Sequence, residues 1–168
     1  TAGGSLSITN GDELYVWSGD TFTPAASTTL SGSLKVAGGV YDSSFYRVTT
    51  LSGTSQTISG STTGTSSLGV LRVTGSYTFS NNASSSGITI ESGGSLTAPS
   101  GGLTIDGDFT NNGTFTNNSG TVSFTGIGYT DVSNSAVTAE NASLFNGVAG
   151  LTFDGTGDHF YVMNYSTN

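Results

Sequence analysis

Residues 103–126 read LTIDGDFTNNGTFTNNSGTVSFTG and carry the pattern that decides the fold. Apolar residues alternate with Thr, Ser or Asp in short blocks, as Leu103 and Ile105 do, and each block ends at Gly or Asn. Alternation of this kind is typical of a strand with one buried face. Gly and Asn are turn residues, because they accept positive φ or bond to their own backbone. The stretch therefore predicts short strands joined by tight turns.

The same phrase recurs outward from this stretch in both directions: a Gly, a small residue, two apolar residues one position apart, and another turn residue. Each apolar pair should point to one face of its strand. Stacking such strands would bury a continuous core that no single repeat could bury alone. The predicted core pairs are Leu6/Ile8, Leu34/Val36, Leu71/Val73, Ile88/Ile90, Leu103/Ile105, Val122/Phe124 and Leu151/Phe153.

Two all-β architectures fit this pattern. In a parallel β-solenoid, Asn111, Asn112 and Asn117 would lie at successive bends, where stacked amides satisfy each other and the turn backbone. In an antiparallel β-sandwich, the Asn-Asn-Gly at 111–113 would be a hairpin turn. We expect the solenoid, with the sandwich as the alternative.

Composition excludes several classes of function. Eleven acidic residues against three basic ones give a net charge of −8, so nucleic acid and anionic lipid surfaces would be repelled. No apolar run approaches the roughly 20 residues that a membrane-spanning helix needs, so we expect no membrane insertion. Cysteine is absent, which excludes disulfides and thiolate metal sites. We expect no cofactor.

The chain is expected to form one elongated β domain over residues 1–168. Residues 1–26 form an aromatic N-terminal cap segment, residues 27–126 form the repeat-like strands, and residues 127–168 form a C-terminal cap segment. Aromatic ends suit units that close an open apolar core. Residues 49–67 have little apolar content beyond Leu51 and Ile58, which predicts a long loop or the weakest coil.

Three phrases resemble known repeat proteins. STTLSGSLKVAGG at 27–39 and GDELYVWSGDTFTPA at 11–25 resemble segments of tail-fibre and other virion-surface proteins of tailed phages. Residues 103–126 are similar to repeats of secreted β-solenoid proteins of the filamentous-haemagglutinin style. The resemblance implies a rod, spike, fibre or decoration element outside the cell or on a particle, and it carries over no functional residue.

The aromatic residues of the two ends are the candidate binding or interface residues. If Leu14 and Val16 face the core, strand alternation places Tyr15 and Trp17 outside, where they could stack on a sugar ring or contact a neighbouring subunit. The alternative is that the aromatics cover the end of the core. The candidates are Tyr15, Trp17, Phe22, Phe160 and Tyr161.

Two acidic clusters are candidates for a catalytic or metal site. Asp106 and Asp108 could act as a general acid and base on a polysaccharide, but Asp beside Gly107 is ordinary turn chemistry. Asp158 and His159, with Asp154, lack the spacing of a calcium loop. We expect neither a catalytic residue nor a metal ligand.

The only lysine, Lys35, and Arg72 each stand between two predicted core residues. Alternation therefore predicts that both are outward-pointing, solvated side chains.

The sequence favours a structural, non-enzymatic surface subunit of an extracellular or virion assembly, such as a phage fibre, spike or decoration protein. A carbohydrate-binding adhesin module and a polysaccharide-degrading tailspike fragment are the alternatives. The expected partners are copies of the chain and other assembly subunits, with surface glycans as a further class and nucleic acid excluded. The expected location is extracellular or on the virion surface.

Overall fold

The computed structural model describes residues 7–24, 28–43, 47–125, 128–134 and 159–164. These ranges form short strands and one turn of 3-10 helix, Gly64–Ser66. The strands in chain order are β1 (Ser7–Ile8), β2 (Glu13–Trp17), β3 (Thr21–Phe22), β4 (Thr28–Leu30), β5 (Ser33–Ala37), β6 (Val40–Tyr41), β7 (Val48–Leu51), β8 (Gln56–Gly60), β9 (Val70–Val73), β10 (Ser76–Phe79), β11 (Ala83–Ser85), β12 (Gly87–Ile90), β13 (Ser95–Thr97), β14 (Gly102–Ile105), β15 (Phe109–Asn111), β16 (Thr114–Thr116), β17 (Thr121–Phe124), β18 (Gly128–Asn134) and β19 (His159–Asn164).

The strands stack coil on coil into a parallel β-solenoid, which confirms the predicted fold class. The first sheet has the order β1-β4-β7-β9-β12-β15-β18-β19, and the second has the order β16-β13-β10-β8-β5-β2. A third face contains β11-β14-β17 and the pair β3-β6. Every described pairing between these strands is parallel except β18 with β19, which is antiparallel. The antiparallel sandwich is therefore wrong.

The Asn-Asn-Gly segment is a corner of the solenoid. It joins β15 of the first sheet to β16 of the second, so these consecutive strands do not pair with each other. The Asn111 side-chain oxygen accepts the Gly113 amide at 3.1 Å, and the Gly94 carbonyl accepts the Thr114 amide at 2.9 Å. A hairpin is excluded because the ladder bonds run to the neighbouring coil.

The core lies between the sheets and contains the predicted apolar pairs. Leu34, Val36, Leu71, Val73, Ile88, Ile90, Leu103 and Ile105 are all buried. Ile8, Val122 and Phe124 are partly buried and pack against the same cluster. Leu6, Leu151 and Phe153 lie outside the described residues. Alternation thus identified the inward face of each described repeat.

Residues 49–67 are not a loop. They contain most of β7, all of β8 and the 3-10 turn, so the loop alternative is wrong and the segment is a coil of the solenoid. In β7 and in β8, one of the two inward-pointing residues is polar and the other is apolar. Thr49 is buried together with Leu51, and Gln56 is buried together with Ile58. The Thr49 hydroxyl is hydrogen-bonded to the Tyr41 hydroxyl at 3.2 Å. A buried polar group is tolerated when it is bonded in this way.

Asparagines close several corners by capping the backbone of a neighbouring coil. The Asn81 side-chain oxygen accepts the Gly60 amide at 2.8 Å, and that of Asn82 accepts the Gly102 amide at 2.9 Å. These bonds satisfy backbone amides at strand ends, since Gly60 ends β8 and Gly102 begins β14. Within the described ranges, no helix is long and apolar enough to span a bilayer.

Candidate functional site

The sequence candidates Tyr15 and Trp17 lie together on the outer face of β2. Val16 between them is buried, so alternation turns both aromatic rings outward. Their ring centroids are 4.2 Å apart with the planes tilted by 31°. Trp17 is 61% exposed. Among the residues whose burial is described, it is the only large apolar side chain that is exposed. We call Tyr15, Trp17 and the neighbouring Lys35 the aromatic patch.

Lys35 completes this patch from the next coil. β2 and β5 pair in parallel with Tyr15 opposite Lys35. The ammonium nitrogen of Lys35 lies 5.0 Å from the centroid of the Tyr15 ring, within cation–π distance. Lys35 points outward as predicted, but it is half-buried and covers an aromatic face instead of extending freely into solvent.

Local backbone chemistry fixes the position of Trp17. β2 ends at Trp17, whose carbonyl accepts the Asp20 amide at 3.0 Å and closes a turn through Gly19 at φ +88°. The next coil approaches closely at Gly39, where an added Cβ would lie 2.2 Å from the Trp17 carbonyl oxygen. The turn and this contact hold the end of the strand, so the ring projects from a defined backbone.

The remaining aromatic candidates lie elsewhere. Phe22 is in β3, half-buried, and its ring stacks on Tyr41 with centroids 5.6 Å apart. It packs against the core cluster. Phe160 and Tyr161 belong to β19, the last strand of the first sheet, and their side chains lie outside the described residues.

The acidic candidates lie at a corner. Gly107 separates Asp106, after β14 of the third face, from Asp108, before β15 of the first sheet. The Asp106 carboxylate accepts a hydrogen bond from the Thr125 hydroxyl of the next coil. Within the described ranges, no three His, Asp or Glu residues form a group that could hold a metal ion. Asp154 and Asp158 lie outside these ranges, and of His159 only its place in β19 is described.

The second sheet also carries a feature that the sequence reasoning missed. Its outer face beyond β5 presents Ser and Thr side chains in successive coils, because β8, β10, β13 and β16 are paired in register. The signal was present as four short strings, SQT, SYT, SLT and TFT, at positions 55, 76, 95 and 114. Each has a hydroxyl residue on either side of an inward-pointing residue.

Comparisons of the chain with protein-family models, with curated proteins and with solved structures found no match. The geometry of the aromatic patch and of the second sheet is therefore the basis for assigning a function.

Proposed function

We propose that this chain is a structural, non-enzymatic subunit of an extracellular or virion-surface assembly, a short solenoid rod that contacts its neighbours through the aromatic patch. The observation that carries the proposal is the 61% exposure of Trp17 at the end of β2. An exposed Trp beside a second aromatic ring is typical of an interaction surface.

The chemistry of the patch favours a protein neighbour. Interface cores are enriched in Trp and Tyr and depleted in Lys, and a few such aromatic anchors supply most of the binding energy. In the aromatic patch the only cation, Lys35, lies over the Tyr15 ring, which leaves the Trp17 ring as the anchor. Burying it would contribute about 2–3 kcal/mol.

The partners we propose are copies of the same chain and other subunits of the assembly. A net charge of −8 disfavours nucleic acid as a partner. Support for an extracellular or virion-surface location comes from the composition, which is cysteine-free and rich in Ser, Thr, Asn and Gly, as many bacterial surface proteins and phage fibres are.

Trp17→Ser tests the proposal. Sedimentation velocity over a concentration series should show the wild-type chain self-associating, and the variant should associate at least tenfold more weakly because a hot-spot side chain has been removed. Its free energy of unfolding should change by less than about 0.5 kcal/mol, as for an exposed position.

Phe22→Ser is the matched control. It also removes an aromatic ring near the same end of the solenoid, but one that packs on the core, so it should lower the stability. A wild-type chain that stays monomeric at every concentration, or a Trp17→Ser variant that associates like the wild type, would contradict self-assembly through this patch.

A further inference from the structure

The outer face of the second sheet carries two straight columns of hydroxyl groups. The first column consists of threonines that pair in parallel between neighbouring strands. Successive members are 21, 19 and 19 positions apart in the chain, so coils of unequal length still place threonine at the same position. Its members are Thr57, Thr78, Thr97 and Thr116. We call this column and the neighbouring column of Ser76, Ser95 and Thr114 the hydroxyl face.

The second column runs beside the first. On each strand, one inward-pointing residue separates the two columns. The Ser55 amide donates to the Ser76 hydroxyl at 2.7 Å, which ties the start of β8 to β10. Ser76, Ser95 and Thr114 then pair in register. Buried Gln56 and Tyr77 lie between the columns at the floor of a shallow depression of about 300 Å³.

The hydroxyl face contains no charged residue. β8, β10, β13 and β16 read QTISG, SYTF, SLT and TFT. The outer face of the first sheet differs, because its Thr column is interrupted at Arg72, whose guanidinium pairs with Glu91 at 2.7 Å. Over β8, β10, β13 and β16 both columns are therefore neutral, whereas the outer face of the same sheet carries charge in β5 and β2, at Lys35 and Glu13.

We propose that the hydroxyl face binds a neutral polysaccharide that lies along the solenoid axis. Coils repeat at about 4.8 Å, so the four coils of the face span roughly 14 Å and present donors and acceptors at a constant interval. A polymer with regularly spaced hydroxyl groups can pair with such an array over its whole length. This inference is independent of the assembly proposed above, because it uses none of the residues of the aromatic patch.

Charge and polarity select this ligand over other polymers. An anionic polysaccharide or a nucleic acid would meet no cation in β8, β10, β13 or β16 and would be repelled by the net charge of −8. Lys35 of the adjacent β5 lies over the Tyr15 ring. A protein partner would find no aromatic or apolar anchor, and Ser is depleted in protein interfaces. A neutral glycan needs neither a cation nor an apolar anchor, because its own hydroxyls donate and accept hydrogen bonds.

The experiment is affinity electrophoresis in native gels containing soluble xyloglucan, mixed-linkage β-glucan, galactomannan or dextran, with alginate as the anionic comparison. At least one neutral polymer should retard the wild-type chain. The double variant Thr78→Val/Thr97→Val keeps the branched shape of both residues and removes the central hydroxyls. It should reduce the retardation at least fivefold.

The matched control is Thr89→Val/Thr110→Val, which removes two hydroxyls that pair in the same way on the first sheet. It should bind like the wild type. Retardation by alginate alone, no retardation by any neutral polymer, or equal loss in both double variants would overturn the proposal. Loss in Trp17→Ser with full binding by Thr78→Val/Thr97→Val would also overturn it, because the aromatic patch would then be the glycan site.

Discussion

The Tyr77 hydroxyl donates a hydrogen bond of 2.7 Å to the carbonyl oxygen of Leu30, although the two residues are 47 positions apart in the chain. The same hydroxyl accepts the Gly53 amide at 3.1 Å. Leu30, Gly53 and Tyr77 belong to three successive coils, so one buried phenol connects all three at the corner between the first and second sheets.

We expect Tyr77→Phe to lower the free energy of unfolding by about 1–3 kcal/mol. The ring remains in place, but the Gly53 amide loses its bond to the phenol in a buried corner. Tyr15→Phe, a change of the same kind on the outer face of β2, should change it by less than about 0.5 kcal/mol. Urea unfolding of both variants measures the difference, and equal effects would contradict the role assigned to the Tyr77 hydroxyl.

Stability should fall at alkaline pH because of the buried tyrosines. Burial raises the pKa of Tyr41 and of Tyr77 above the ordinary value of 10.0, and the hydrogen bond to Thr49 offsets part of this for Tyr41. The unfolded chain therefore releases these protons at lower pH than the folded one. This contribution to stability is complete below about pH 10 and is lost as the pH rises further.

Chemical denaturation at a series of pH values tests this expectation. The free energy of unfolding should decline less steeply above about pH 10 in Tyr41→Phe than in the wild type. Near pH 7 the two pH dependences should be the same. Identical slopes across the alkaline range would show that Tyr41 is not the responsible group.

The fold was predictable because most of the described strands repeat a local signal. The alternation of Leu103 with Ile105 and the turn residues that follow are visible without knowing which strands pair. The loop alternative for residues 49–67 was wrong because Thr49 and Gln56 occupy core positions with polar side chains. Their burial depends on partners such as Tyr41 and Ser33, which come from other coils.

Of the candidate sites, the aromatic patch was predictable from the sequence and the hydroxyl face was not. Alternation about the buried Val16 was enough to place Tyr15 and Trp17 outside. The hydroxyl face was not predictable, because it depends on register between coils. Thr57 and Thr78 are 21 positions apart while Thr78 and Thr97 are 19 apart, so no fixed sequence period reveals the column.

Ile90→Asp should unfold the chain. Ile90 is fully buried between Val73 and Asn111 of the adjacent coils, and an unpaired carboxylate there would cost more than about 4 kcal/mol. Thr89→Asp is the control, because this neighbouring side chain points outward and lies opposite Arg72. Circular dichroism melts should show cooperative unfolding for Thr89→Asp only. A cooperative transition in Ile90→Asp at the wild-type temperature would refute the continuous core.

Two glycines with the same backbone conformation separate strain from steric contact. Gly60 has φ +89° and Gly93 has φ +84°. A Cβ at Gly60 would lie 2.0 Å from the Val36 carbonyl oxygen, whereas none of the surrounding atoms lies within 4 Å of a Cβ at Gly93. Gly93→Ala should cost about 1–2 kcal/mol for the left-handed conformation alone.

Gly60→Ala should cost that amount and a further 1–3 kcal/mol, roughly the cost of overpacking, because β8 must move away from β5. Both values come from urea denaturation at one temperature. If the two variants are equally stable, the close approach of the coils at Gly60 does not contribute.

Asp106 and Asp108 should have no catalytic role. Both side chains lie at the corner between β14 and β15. An Asn at position 106 can still accept the hydrogen bond from the Thr125 hydroxyl. Asp106→Asn and Asp108→Asn should therefore leave folding, self-association and glycan retardation at wild-type levels. The wild-type chain should release no reducing ends from the neutral polysaccharides named above or from a host polysaccharide. Release that either substitution abolishes would identify the pair as a general acid and base, and the chain as a polysaccharide-degrading spike.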